Sequence, residues 1–521
     1  MLNDARMLVR FYRGLRRFLR APLSVSEAEQ SLRVYLDARE NSFLDLMDRA
    51  VYRQPRSPWR TLLDNARIEL GDVREMVRRS GIESTLARLY DAGVYVTVQE
   101  AKGKQPIVRD GVEIRVHPED FDNPVLPGSF EVLSGGSSGP RRRLLIDFEL
   151  LEHDVRAHRL LIHSFDLERR PSAIWWPGPP GSAGLKHAIM QARSRLPEQR
   201  WFSQTNPSLR ASPMQSWLLL QTALAGMRRS GIRYPSPEYL PLDNPAAIVT
   251  WLVSRKREGT PALFGTIVSS AIRVCQAAQA NGMDISGTFF RIGAEALTEA
   301  GAEMFRSAGT SFACAYATAE TGPIGYPCAT GASADDVHLF SGKIAVLARP
   351  GPEGRSALFL TTLLAATPRI MLNAESGDSA AIESRSCGCV FGQLGYLTHL
   401  HHIRSYEKVS GEGMYFLGAE LAALVEDFLP RRFGGAPTDY QFVHEQRGGM
   451  TRVRLLISSK VGALDTAEVR DAVLRQLAIG SRGDRMKSEI WASGEILSVE
   501  RGEPAATAAS KILPVCFVGD E

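Results

Sequence analysis

The sequence predicts an α/β protein: a large amino-terminal domain of several subdomains built on doubly wound sheets, followed by a small carboxyl-terminal α/β domain. Three observations predict it. At 521 residues the chain is longer than one hydrophobic core usually supports. From about Leu145 to Gly322, short apolar strands alternate with helical stretches, and polar and glycine residues collect where the strands end. After residue 438 strand and helix patterns alternate again, through Tyr440–Val443, Thr451–Ile457 and Thr466–Leu477.

Composition sets the outer bounds. An apolar fraction of 44% and a charged fraction of 23% fit a soluble globular enzyme, and no apolar run is long enough to cross a bilayer. The basic start lacks the apolar core of a signal peptide. A net charge of +4 is too small to argue for nucleic acid. Six cysteines in so long a chain do not suggest a disulfide framework, so a reducing cytoplasm is expected.

Residues 1–23 place Leu8, Phe11, Tyr12, Leu15, Phe18 and Leu19 at helical spacing, with Arg6, Arg10, Arg13, Arg16, Arg17 and Arg20 on the other face. Such a helix either docks on an anionic surface, making a peripheral membrane contact, or packs its stripe on its own protein. The second is the commoner outcome. Pro22 ends the helix. Ser24–Ala92 reads as helical, with caps at Ser24 and Ser42. Tyr95–Gln99 reads as a strand, and Ile107–Arg115 as a hairpin about Asp110-Gly111.

Next comes Ser134-Gly-Gly-Ser-Ser-Gly-Pro-Arg-Arg142. Phe130–Val132 before it reads as a strand and Leu144–Arg159 after it as a helix. Glycines bring backbone N–H groups close to phosphate oxygens, serines donate hydrogen bonds, and arginine supplies a charged fork. It is not a Walker A loop. Trp175, Trp176, Trp201 and Phe202 suit an acyl pocket or simply a core. Strands at 287–292 and 311–315 close on Gly293-Ala-Glu295 and on Tyr316-Ala-Thr-Ala-Glu320. Cys328, His338, Cys387 and Cys389 supply three thiolates and one imidazole, a common structural zinc set. The alternative is unrelated buried thiols, the reading given to Cys275, Cys314 and Cys516. His399, His401 and His402 are competing ligands.

In order and rough spacing these segments, with Ser376-Gly-Asp378, resemble the adenylate-forming ligases, and most of all their phenylacetate–CoA ligase-like branch. The resemblance covers about residues 125 to 515. It implies that Ser134, Gly136, Ser137, Ser138, Gly139 and Arg142 cradle the phosphates of ATP. It further implies that Gly293, Ala294 and Glu295 flank adenine and that Tyr316 stacks on it, beside Ala317 and Thr318. Glu320 would hold Mg2+, Asp378 the ribose hydroxyls, and Arg404 the hinge. Lys408–Gly413 resembles the start of the small domain. Lys511, in a segment resembling P-x-x-x-x-G-K-I, would reach into the large domain during adenylation. Members of the branch often carry a Cys/His pattern like Cys328, His338, Cys387 and Cys389, which favours zinc.

The expected division is a helical region and domain start at 1–124, a nucleotide- and acyl-binding part at 125–403, and a mobile lid at 404–521. The implied activity is formation of an acyl-adenylate from a small carboxylic acid, then a thioester with coenzyme A. Transfer to an acyl carrier protein or an amine is a second reading. Ala317, Ala319 and Ser510 depart from the family pattern and motivate a third, nucleotide binding without turnover.

Overall fold

The computed structural model describes residues 2–126, 130–133, 143–178, 183–197, 199–205, 214–318, 320–351, 355–480, 482–506 and 512–518. Its centre is one long sheet with two halves. Strands Glu238–Tyr239, Gln199–Ser203, Ser172–Trp175, Leu263–Thr266, Phe289–Gly293 and Ser311–Thr318 run parallel to their neighbours in that order. Beyond Ser311–Thr318 the sheet turns antiparallel. It continues through Gly322–Pro327, Val337–Leu339, Thr398–Ser405, Ala374–Ser384, Ser356–Thr362 and Ile344–Pro350.

The parallel half is doubly wound, as the alternation of strands and helices predicts. Side chains alternate between faces along a strand. Ile174 and Trp201 pack with helices Phe148–Ser164, Ala183–Ser194 and Met214–Arg229 on one face. Ala173, Trp175 and Phe202 pack with Ala246–Arg257, Val268–Ala280 and Glu299–Ser307 on the other. The antiparallel half is covered on one face by the helices of residues 39–91, whose Trp59, Leu63, Ile82 and Leu86 share a core with Ile344, Leu360, Leu372 and Leu400. The Trp59 indole donates to the Ile370 carbonyl at 3.0 Å, and the Tyr396 hydroxyl to the Leu32 carbonyl at 2.8 Å.

Helix Leu2–Phe18 turns its apolar stripe inward. Phe11, Leu15, Phe18 and Leu19 are buried, and the Phe11 and Phe18 rings lie 5.6 and 5.7 Å from that of Phe148. Its Arg10, Arg13, Arg16 and Arg17 point to solvent. The stripe that would enter a membrane surface is thus already covered by the protein. Among the described residues no helix is long and apolar enough to cross a membrane.

Two expected elements differ. Tyr95–Gln99 is not a strand: Val96 makes a single bridge to Ala374, and Thr97 with Glu100 forms a capping box that starts helix Val98–Ala101. Residues Arg143–Ile146 do not begin a helix. They pair antiparallel with Phe130–Leu133, and the helix starts at Phe148, capped by Asp147. Phe130–Leu133 and Arg143–Ile146 are thus an antiparallel pair on either side of the Ser/Gly/Arg segment, which itself lies outside the described residues. Asp110 and Gly111 take positive φ, as the tight hairpin turn requires.

The carboxyl-terminal region has its own sheet, ordered Leu497–Arg501, Met450–Ile457, Tyr440–Arg447 and Val515–Phe517, with helices Thr466–Leu477 and Arg482–Ser493. Its Tyr440, Phe442, Val453 and Leu455 belong to the same apolar cluster as Ile272 and Phe305 of the large sheet's helices.

Candidate active site

Ser311–Thr318 is the strand where the parallel and antiparallel halves meet, so polar groups at its carboxyl end face a crevice. A register shift at Tyr316/Ala317 re-aims the strand there. The Tyr316 hydroxyl donates to Asp378 Oδ2 at 2.8 Å, and Lys408 Nζ donates to both Asp378 oxygens at 3.1 and 3.3 Å. Burial pushes the Tyr316 phenol well above its ordinary range, helped by the Asp378 charge. Burial works against the Lys408 ammonium, yet Asp378, Tyr415 and Glu320 together hold it above its ordinary value. Tyr316 and Asp378, 62 residues apart, are thus brought together as the motif order predicts.

At the end of the neighbouring strand, Gly293 faces the Ala315 carbonyl so closely that a Cβ would lie 2.9 Å from it. Ala294 takes a positive φ of 67°. Glu295 turns back and accepts from the backbone N–H groups of Ser269 and Gly413, each at 2.9 Å, and from the Ser269 hydroxyl. Burial and the adjacent Glu412 raise its pKa. Glu412 itself accepts from Ser270 Oγ at 2.7 Å and from Arg273. The tip of hairpin Lys408–Leu417 is thereby fastened to the amino-terminal turn of helix Val268–Ala280. Arg404 donates to Asp335 at 3.2 Å and to the Leu297 carbonyl at 3.4 Å.

These groups line one cavity of about 750 Å³. Tyr316, Glu320, Asp378 and Lys408 line it, as do Trp176, Lys186, His187, Met190, Arg291 and Tyr326, and Arg291 is set back along the sheet by the three-residue offset between its register partner Ala313 and Tyr316. The carboxyl-terminal region adds His444, Met486 and Phe517 to its wall. Such a volume suits a nucleotide joined to a second small group.

The Cys/His set forms a separate cluster beside this cavity. Ligand atoms of Cys328, His338, Cys387 and Cys389 all lie within 4.8 Å of one another. Sulfur–sulfur separations are 3.3, 3.6 and 4.0 Å, and His338 Nε2 stands 3.0 and 3.4 Å from two of the sulfurs. A tetrahedral zinc ion with bonds of about 2.0–2.3 Å spaces its ligands by about 3.5–3.8 Å. His338 Nδ1 donates to the Tyr396 carbonyl at 2.7 Å, which leaves the Nε2 lone pair aimed at the sulfurs. A Cβ on Gly392 would come within 2.8 Å of the Cys387 sulfur, so the turn needs glycine. The donor set fits a closed structural zinc site. The competing histidines are otherwise engaged: His399 packs its ring 4.1 Å from that of His338 but pairs with Asp336 at 2.8 Å, and His401 pairs with His402.

Six expected phosphate ligands, Ser134, Gly136, Ser137, Ser138, Gly139 and Arg142, lie outside the described residues, as do Lys511 and Ala319. Sequence reasoning missed Lys408 as a partner of Asp378, Asp335 as the anchor of Arg404, and Glu412. It also missed Lys186, His187 and Arg291. The signal for Arg291 is a lone cation inside the apolar run Phe289-Phe-Arg-Ile-Gly293.

No protein-family model matches the sequence, and no curated protein matches it. Solved structures do. The chain is similar to 2-hydroxyisobutyryl-CoA ligase, solved with 2-HIB-AMP and CoA in the thioesterification state. The TM-score is 0.51 and the identity 14%, over 96% of this chain and 91% of that one. The same ligase in its postadenylation state gives 0.43, at 14% identity over 96% and 91%. The o-succinylbenzoate CoA synthetase of Bacillus subtilis gives 0.40, at 9% identity over 74% and 68%. The first of these likenesses shows the fold. It is shared with that CoA ligase.

Proposed function

We propose that this chain is an AMP-forming, ATP-dependent carboxylate-activating ligase that goes on to make a thioester, with coenzyme A as acceptor, and that it belongs to the phenylacetate–CoA ligase-like branch. The observation that carries the reading is the Tyr316–Asp378–Lys408 cluster. It stands at the carboxyl end of the parallel strands, in the family's motif order, at one end of a cavity large enough for both reactants. In the first step a carboxylate oxygen attacks the α-phosphorus of ATP, a new P–O bond forms, and pyrophosphate leaves with the electron pair of the bond that breaks. The thiol sulfur then attacks the acyl carbon and AMP departs.

Most of the rate comes from positioning and charge neutralisation. Asp378 accepts from Tyr316 and Lys408 and offers its carboxylate to the two ribose hydroxyls, while the Tyr316 ring supplies a face for adenine. Glu320 would hold the magnesium that shields the phosphates. Arg142 supplies a charged fork and Lys511 a mobile cation for the adenylation step. Residues 404–521 form the lid, with Arg404 at its hinge. Its hairpin tip is fastened by Glu295 and Glu412 in the arrangement described here. Zinc, held by Cys328, His338, Cys387 and Cys389, would clamp two segments that carry nucleotide ligands, with no open position for catalysis.

Exchange of labelled pyrophosphate into ATP, dependent on an added carboxylic acid, tests the reading. Exchange with at least one acid across aryl, short-chain and long-chain series is expected. Tight ATP binding without exchange for any acid would overturn it in favour of a nucleotide-binding protein, the reading that Ala317, Ala319 and Ser510 motivate. Offering coenzyme A, a carrier protein or an amine to the preformed adenylate identifies the acceptor.

A further inference from the structure

At the inner end of the cavity Arg291 has no carboxylate beside it among the described residues, while Lys186 feels the charge of Asp154. Arg291 sits in the middle of strand Phe289–Gly293, beside Ala313 of the next strand. That places it roughly 10 Å along the sheet from Tyr316, at about 3.3 Å per residue. Its guanidinium donates to His187 Nδ1 at 3.2 Å, and a Cβ on Gly265 would meet Arg291 Nη2 at 2.9 Å. Among the described residues no carboxylate lies within ion-pair distance of Arg291 or of Lys186, the other cation lining this end. The nearby acids have other partners. Asp154 is paired with Lys343 at 2.6 Å, both deeply buried. Asp147 caps helix Phe148–Ser164 through the N–H groups of Glu149 and Leu150, and Glu295 is held by Ser269 and Gly413.

Burial lowers the Arg291 guanidinium and brings the Lys186 ammonium down to about 8. Both still carry charge at neutral pH. Burial, with Arg291 close by, holds His187 neutral, so it accepts from Arg291 at Nδ1 and keeps its proton on Nε2. Its ring lies 4.3 Å from that of Trp176, whose indole N–H is buried without a hydrogen-bond partner. A desolvated guanidinium with an unmatched indole N–H nearby is costly unless an anion enters.

We infer that the acid activated here carries a second anionic group, and that Arg291, with Lys186, receives this group at the inner end of the cavity while the first carboxylate faces the nucleotide. The substrate class is thus a dicarboxylic acid. The inference rests on the proposed carboxylate-activating function and narrows it. A guanidinium fork matches a carboxylate in two parallel hydrogen bonds. Apolar Met190 and the Trp176 ring would flank the carbon chain between the two charged ends.

The test compares matched acids in ATP–pyrophosphate exchange: butanedioate through decanedioate, and benzene-1,4-dicarboxylate, each against its monocarboxylate. The wild-type chain should prefer the best dicarboxylate by roughly ten- to a hundred-fold in kcat/KM. Arg291→Met should bring that ratio close to one, chiefly through KM, and Arg291→Lys should restore part of it. Lys186→Met serves as the second variant if Arg291→Met does not fold. Equal or better use of monocarboxylates by the wild type overturns the inference and leaves carboxylate activation standing. Exchange with no acid in either series strikes instead at the activating function. The anion site is then judged by calorimetry: dicarboxylate binding that Arg291→Met abolishes keeps it, and absence of binding removes it.

Discussion

The two ends of the cavity treat charge in opposite ways. At the Asp378 end every named charge has a partner: Asp378 has Tyr316 and Lys408, and Arg404 has Asp335. At the Arg291 end the guanidinium faces neutral His187 and Tyr326, with no carboxylate paired to it among the described residues. Arg291 sits on a parallel strand, whereas Asp378 and Arg404 sit on the antiparallel strands Ala374–Ser384 and Thr398–Ser405 and meet Tyr316 where the two halves of the sheet join. The contrast separates a binding surface whose hydrogen bonds are already formed, and need only be exchanged for those of a ligand, from one that gains its partners when a ligand arrives. The first kind of surface holds its shape without a ligand, because each charged group is fixed by its neighbours.

The strongest way to break the contrast is to remove metal. Cys387 and Cys389 follow strand Ala374–Ser384, which carries Asp378, and Cys328 follows strand Gly322–Pro327. Protein purified without chelator should contain about one zinc per chain, and ion binding at such a site contributes on the order of 10 kcal/mol to local order. Cys387→Ser should lose metal, melt at lower temperature and bind ATP more weakly. A stable, fully active protein free of metal would exclude the clamp.

Next in size is Asp378→Ala. It removes a carboxylate that takes charge-assisted hydrogen bonds worth roughly 1.5–3 kcal/mol each, so kcat/KM for ATP should fall about a hundred-fold. The preference among acids should stay as it was. A change in acid preference of similar size would show that the two ends are not separate.

Acid offers a milder route to the paired end. Ser410, two residues beyond Lys408, donates its N–H to His444 Nε2 at 3.3 Å, and burial brings His444 down to about 4. Its folded pKa lies below the unfolded value of about 6.5, so the unfolded chain takes the proton first. The stability concerned is fully present above about pH 6.5 and is lost as pH falls toward 4, by at most about 3 kcal/mol. Denaturant titrations should show that loss in the wild type and a flatter profile in His444→Gln. Identical profiles would remove His444 from the account. The smallest effect is expected from Lys408→Met, which leaves Tyr316 on Asp378. ATP KM should rise about ten-fold, from one lost charged contact; an unchanged KM would make Lys408 a bystander.

Much of this was legible in the residues. Tyr316, Asp378 and the four metal-type ligands were found because their chemistry is specific enough to survive separation along the chain. Segment types were legible where period and caps agree, as at Ser311–Thr318 and at the Ser24 capping box. Arg143–Ile146 misled because Arg-Leu-Leu-Ile suits a helix as well as a strand, and only pairing with Phe130–Leu133 decides. Lys408 was read as part of a motif. Nothing local tells a lysine which carboxylate thirty residues away it will meet. Arg291 was hidden for the opposite reason: its significance is that no carboxylate among the described residues pairs with it, which only three-dimensional packing displays.

The core shared by residues 39–91 and the antiparallel strands bears on how the chain is made. The Trp59 hydrogen bond spans 311 residues and the Leu32–Tyr396 bond 364. At synthesis rates of about 5–20 residues per second, the amino-terminal helices wait roughly 15 to 70 seconds for those strands to emerge. During that interval Trp59, Leu63, Ile82 and Leu86 lack the surface that buries them in the finished protein. Until nearly four-fifths of the chain has been translated, its first hundred or so residues therefore present aggregation-prone apolar surface of the kind that chaperones cover.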